Sequence, residues 1–79
     1  MIRDKISLNN LKINEKAKIK NLNCTGAIRR RLLDLGLIEG TMIIPVLKSP
    51  SGDPVAYEIR GTIIALRKED SSLIEILCV

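Results

Sequence analysis

The sequence predicts a mainly β fold: a small, strongly bent barrel of five strands, with one α-helix between the first and second strands. Three observations carry this prediction. Alternating or β-branched segments recur at 16–22, 41–48, 55–59, 62–66 and 73–79. Only Thr25 to Gly36 has helical spacing together with end signals. The chain has 79 residues, a length that buries only ~60% of its unfolded surface and cannot fill a large sandwich. Closing the strands into a barrel removes their free edges.

Residues 1–6 have no periodicity and are expected to form a tail ahead of a domain spanning 7–79. Ser7-Leu8-Asn9-Asn10-Leu11 begins with a capping-type Ser and spaces two leucines three apart, enough for one helical turn at the edge of the core. From Lys16 to Leu22 the pattern alternates, with Ala17 and Ile19 facing one way and Lys16, Lys18 and Lys20 the other. That is a half-buried strand.

The helix starts at Thr25, which can cap it, and ends at Gly36, which supplies the left-handed residue, with Leu37 placed for the contact past the cap. At ~100° per residue, Ile28, Leu32 and Leu35 share one narrow face that is expected to pack on the barrel. Leu33 lies off that stripe. Either a curved sheet covers a wider arc of the helix, or Leu33 is kept for a partner.

Pro45 inside Thr41–Lys48 implies an edge position or a bulge. Ser49-Pro50-Ser51-Gly52-Asp53-Pro54 is a dense turn signal. Val55, Tyr57 and Ile59 alternate with Ala56, Glu58 and Arg60. Gly61 permits a tight reversal into 62–66, and Arg67 to Ser72 suits a single short helical turn. In the last strand Leu73, Glu75, Leu77 and Val79 are expected to face one side, and Ile74, Ile76 and Cys78 the other. Gly36, Gly40, Gly52 and Gly61 are read as turn glycines. An OB-type barrel would need a helix where Gly61 stands.

Composition excludes several chemistries. His, Trp and Phe are absent, and Tyr57 is the only aromatic residue. Without His there is no Ser-His or Cys-His nucleophile system and no usual zinc site. One Tyr provides no base-stacking platform and no aromatic groove for proline-rich peptides. The expectation is therefore a protein with no catalytic residues, no cofactor and no metal site. Asp53 beside Glu58 reads as a solvated hairpin, and Glu69 with Asp70 as an exposed turn pair. Cys24 and Cys78 are too far apart for a CxxC motif and suit two reduced thiols in a cytosolic protein.

The longest apolar runs, 63–66 and 76–79, fall far short of the ~20 residues that cross a bilayer. Residues 1–11 lack the apolar core of a signal peptide. Both observations give the expectation of a cytoplasmic chain without membrane insertion. Thirteen Lys and Arg against nine Asp and Glu leave a net charge of +4, which favours acidic partners without choosing one.

The runs Arg30-Arg31-Leu32-Leu33-Asp34-Leu35-Gly36-Leu37-Ile38-Glu39-Gly40-Thr41, Pro50-Ser51-Gly52-Asp53-Pro54 and Ile59-Arg60-Gly61-Thr62 occur in this order, with Ile63-Ile64-Ala65-Leu66-Arg67 following directly. Together they resemble the FeoA family, the small cytosolic partner of the bacterial ferrous-iron transporter FeoB, over roughly residues 8–79. The resemblance implies an SH3-like barrel and places Arg31-Leu32, Leu35-Gly36-Leu37 and Arg60-Gly61 at signature positions. Asn14 stands where a Gly usually opens the first strand. Asp34 replaces a more frequent Glu, and Ser71-Ser72 an Ala-containing turn. The same domain closes some metal-dependent repressors behind a helix-turn-helix region. No such region precedes it here, so the transport context is expected.

The resemblance implies a FeoB-type transporter as partner, docked through its cytosolic region. The charge run Arg29, Arg30, Arg31 fans over ~200° of the helix, so it cannot address one target as a unit. Arg30 and Asp34 are spaced to pair. The expected docking surface is Arg30, Arg31, Leu33, Asp34, Leu37 and Ile38, with the 50–54 loop second. Lys16, Lys18 and Lys20 form a basic stripe that can serve edge protection and solubility. Its functional alternative is nucleic-acid backbone contact, the runner-up reading of the whole chain. An apolar rim leaves weak association between copies open.

Overall fold

The computed structural model describes residues 6–78 of the chain. Six strands form one antiparallel sheet: β1 (Ile6–Ser7), β2 (Ala17–Leu22), β3 (Met42–Lys48), β4 (Val55–Ile59), β5 (Thr62–Leu66) and β6 (Ile74–Cys78). Their order across the sheet is β1-β6-β2-β3-β4-β5. A 3-10 turn at Leu8–Asn10 follows β1, α1 (Gly26–Asp34) joins β2 to β3, and α2 (Lys68–Ser71) joins β5 to β6.

Two expectations are corrected here. The additional strand comes from Ile6 and Ser7, which pair with Ile76 and Glu75. Two residues carry too little pattern to register as a strand in sequence. Since β1 precedes β2, the long helix lies between the second and third strands. The barrel is also not closed. Among the described residues β1 pairs only with β6 and β5 only with β4, so the sheet ends on two free edges. The expected tail otherwise falls on residues 1–5, outside the described residues.

The remaining elements lie where local chemistry puts them. Ala17, Ile19 and Leu22 of β2 and Tyr57 and Ile59 of β4 face inward, joined by Ile43, Leu66, Ile74 and Ile76. Leu8 of the 3-10 turn plugs one end of this core, as the two leucines suggested. Pro45 is buried within β3, which pairs on both sides. The register shifts between Pro45 and Leu47, so the bulge, not an edge, accommodates the missing N–H.

Two non-glycine residues adopt the left-handed region. Asn14 has φ 73°, the conformation a glycine would supply, and its N–H donates to the Pro45 carbonyl at 2.7 Å. Asn tolerates that region better than most non-glycine residues. Arg60 (φ 54°) and Gly61 (φ 81°) form the two-residue turn between Ile59 and Thr62. Two consecutive positive φ values match the twist of a tight hairpin.

Candidate functional site

α1 sits on the sheet by a narrow footing. Among its own side chains only Leu32 is buried; Ile28, Leu33 and Leu35 are 45%, 38% and 37% exposed. The expected stripe Ile28–Leu32–Leu35 is therefore wrong at two of its three positions. A nine-residue helix resting on one buried leucine turns the flanks of its apolar face to solvent. Leu33, on the other flank, is not covered by a wider sheet either.

The helix end explains the fate of Leu37. Gly36 takes φ 99°. Its N–H donates to the Leu33 carbonyl at 3.0 Å, and the Leu37 N–H to the Leu32 carbonyl at 3.1 Å. This is a Schellman cap, in which the residue after the glycine packs against the one five back. Leu32 and Leu37 are accordingly both 0% exposed. Leu37 is thus a core residue, and its place in the expected docking surface is corrected. Ile38, one residue on, is 44% exposed.

Charged groups complete the footing. Arg29 donates from Nη1 to the Leu22 carbonyl at 3.0 Å, pinning the helix to the end of β2. Arg31 pairs through Nη2 with Asp70 Oδ2 of α2 at 2.6 Å. The expected Arg30–Asp34 pair does not form among the described residues, where the ion pairs are Arg31–Asp70, Lys20–Glu75 and Arg67–Asp53. Arg30 and Asp34 stay on the outer side of the helix, both of them exposed. The three arginines of the run therefore act separately, with Arg29 and Arg31 holding α1 in place and Arg30 facing outward.

The exterior around α1 consequently carries Ile28, Leu33, Leu35 and Ile38 among Arg30, Arg31 and Asp34. Sequence reasoning placed Ile28 and Leu35 in the core. A missing fourth apolar position on the same face was the available signal, because one stripe of three residues seats a short helix poorly. It also took Asp70 for a solvated turn residue. Nothing local marks Asp70 as the partner of a residue 39 positions away.

The 50–54 loop is tied inward more than expected. Asp53 Oδ1 accepts from the Lys68 N–H at 2.8 Å and its Oδ2 lies 3.9 Å from Arg67. Asp53 thereby caps α2 from the adjacent end of the β4–β5 pair, so the reading of Asp53 and Glu58 as a solvated hairpin holds only for Glu58. Pro50 and Ser51 at the tip are exposed.

Lys16, Lys18 and Lys20 are all exposed, yet β2 lies between β6 and β3, so they protect no edge. Lys18 stands opposite Met42 and Leu77, themselves 39% and 44% exposed. The stripe is broken by apolar side chains on either side.

Cys24 is half-buried and Cys78 exposed, both as free thiols. No three Cys, Asp or Glu among the described residues lie close enough to share a metal ion. Tyr57 is 2% exposed. Burial raises its pKa above the ordinary 10.0 and the Asp53 carboxylate adds to the rise, while a hydrogen bond with Ser71 opposes both.

A family model described as FeoA domain matches residues 6–77. The chain belongs to this family. An Fe(2+) transport protein A/Fe(2+) transporter FeoB fusion protein of Porphyromonas gingivalis is 35% identical over 69 residues, covering 87% of the chain. The chain spans only 8% of the length of that fusion protein. The solution structure of a FeoA-like protein from Clostridium acetobutylicum is 32% identical with a TM-score of 0.88, covering 99% of this chain and 91% of that one. Zinc-complexed FeoA of Stenotrophomonas maltophilia, described as a prokaryotic SH3 domain protein, is 27% identical, with a TM-score of 0.80. Here 90% of this chain and 88% of that one are covered. The fold of this FeoA-family chain is thus mainly β with SH3-like neighbours. Among the described residues no helix is long and apolar enough to cross a membrane.

Proposed function

We propose that this FeoA-family chain is a non-enzymatic accessory protein of ferrous-iron uptake that works in the cytoplasm by docking onto the cytosolic part of a FeoB-type transporter. One observation carries the reading: a helix held by a single buried leucine and two arginine anchors leaves Leu33 and Ile38 outward beside Arg30 and Asp34. Apolar side chains ringed by charge are the composition of a protein-binding patch. The fusion of related domains with FeoB in Porphyromonas gingivalis supports proximity as the working arrangement. The docking residues on this reading are Arg30, Arg31, Leu33, Asp34 and Ile38, with the tip of the 50–54 loop at the periphery. Ferrous iron is the transporter's cargo and has no ligand set among the described residues.

Retention of the purified chain by the immobilised cytosolic region of the transporter tests this directly. Retention that Leu33→Asp abolishes supports the patch around α1. Retention unaffected by Leu33→Asp and Ile38→Asp together moves the interface elsewhere, and no retention at all ends the proposal. A gel shift with single-stranded RNA and DNA, run in parallel at two salt concentrations, covers the nucleic-acid alternative. Binding there would weaken steeply with salt.

A further inference from the structure

The two edges of the sheet are guarded unequally. β1 is blunted by its length of two residues. β5 runs five residues, Thr62–Leu66, without a charged residue, proline or glycine. Every one of them pairs with β4, and the register does not shift. Short length, charge, proline and bulges are the devices that keep an edge from pairing further. None operates within β5.

The direction of its free groups follows from the hairpin. Arg60 and Gly61 make a two-residue turn, so Ile59 and Thr62 exchange backbone hydrogen bonds, and the pattern alternates from there. Thr62, Ile64 and Leu66 bond to β4. Ile63 and Ala65 turn their N–H and C=O to the open side, where no other segment among the described residues takes them up. Both residues are exposed, Ile63 to 58%. Such a row is half of a ladder, and an extended strand completes it.

Charge decides which strand. Arg60 stands at one end of β5 and Arg67 and Lys68 at the other, all exposed. Arg60 and Lys68 have no ion-pair partner among the described residues, and Arg67 is held loosely, 3.9 Å from Asp53. Glu58, opposite Ile63 on β4, is set back from the edge by one strand, ~5 Å. A second copy of β5 laid antiparallel, Ile63 against Ala65, would bring Arg60 of each copy to Lys68 of the other. Like charges facing across strands oppose that pairing. Acidic residues at the ends of an incoming strand are attracted instead.

We propose that the β5 edge binds an extended protein segment of uncharged, β-branched residues with an acidic residue at each end, added as a seventh, antiparallel strand. Its backbone takes up the N–H and C=O of Ile63 and Ala65. Its outward side chains lie beside these two residues, and its inward ones cover half-buried Ile64, which packs against the core. Its end carboxylates meet Arg60 and Arg67. The edge shares no residue with the patch on α1, and the proposal does not rest on transporter docking.

The probe is the end-blocked peptide Glu-Val-Thr-Val-Thr-Val-Glu, titrated into the full chain and followed by two-dimensional amide NMR. One control carries lysine in place of both glutamates, and another is N-methylated at both threonines. The acidic peptide is expected to shift the Ile63 and Ala65 amides saturably, with Kd on the order of 0.1 mM. At about ten times Kd, hydrogen exchange at these amides should slow by ~10-fold. Both controls should bind at least ~10-fold more weakly, one meeting like charge and the other lacking two backbone donors. Ala65→Pro removes an outward N–H while sparing the β4 ladder, and should abolish the shifts. Arg60→Asn, which suits the left-handed turn, should weaken binding by ~3-fold. The N-methylated peptide decides the matter on the parent chain should the proline variant not fold. Equal binding of either control, shifts centred away from β5, or no saturable shift would overturn the proposal. So would exchange protection at Ile63 and Ala65 that rises with chain concentration alone, which would assign the edge to a second copy.

Discussion

Arg31 on α1 reaches Asp70 on α2 and closes an ion pair at 2.6 Å, joining two helices through residues 39 positions apart in the chain. Asp70 is only 13% exposed in its side chain and Arg31 55%, so one partner is shielded and the other is wet. With the Arg29 contact to the Leu22 carbonyl, this pair holds a helix that has little buried surface of its own.

Replacing Asp70 by Asn should cost about 0.5–1 kcal/mol, the range of a half-exposed pair with good geometry. The cost should shrink in 1 M salt, where the screening length falls to ~3 Å. Urea denaturation of both proteins at low and high salt measures it. A cost independent of salt would assign Asp70 a role other than charge.

Leu32 and Leu35 should respond to truncation very differently. Leu32→Ala removes a fully buried side chain and is expected to cost ~2–5 kcal/mol, a large part of the stability of so small a domain. Leu35→Ala, at 37% exposure, should cost under ~1 kcal/mol. Thermal unfolding followed by circular dichroism separates them; equal losses would mean that α1 sits deeper on the sheet than one leucine.

Leu33→Asp is expected to leave the unfolding midpoint within a few degrees of the parent while weakening transporter binding by at least ~10-fold. A side chain already 38% exposed tolerates a charge in the free protein, but a desolvated contact does not. Isothermal titration against the transporter's cytosolic region, paired with a melting curve, reads both effects.

Tyr57 predicts a dependence on alkaline pH. Unfolded tyrosine ionises near 10.0, whereas the native chain keeps the proton to higher pH. Above about pH 10 the unfolded state thus holds fewer protons than the native state. Stability falls as pH rises, until the native group ionises too. Below that window the contribution is complete. Tyr57→Phe should remove this slope and leave only the lysine background. Urea midpoints of parent and variant at about pH 8 and about pH 10.5 check it; parallel losses would show that burial does not perturb the phenol.

Much of the architecture was legible along the chain because its causes are local. The alternation in 16–22 and 55–59 required half-buried strands, Gly36 ended the helix, and Arg60-Gly61 made the reversal. The family followed from the order of these same segments. Leu37 shows where such reading divides: the cap that buries it was visible in Leu35-Gly36-Leu37, yet the same residue was counted as surface.

By itself, the sequence determined five of the six strand segments, the turns, the lack of any histidine and the kinship. Tertiary structure alone decided which flank of α1 meets water, which acid receives Arg31, and that β1 and β5 stop short of each other. Those outcomes depend on groups brought together from distant parts of the chain. Periodicity describes the faces of an element but not what stands opposite them.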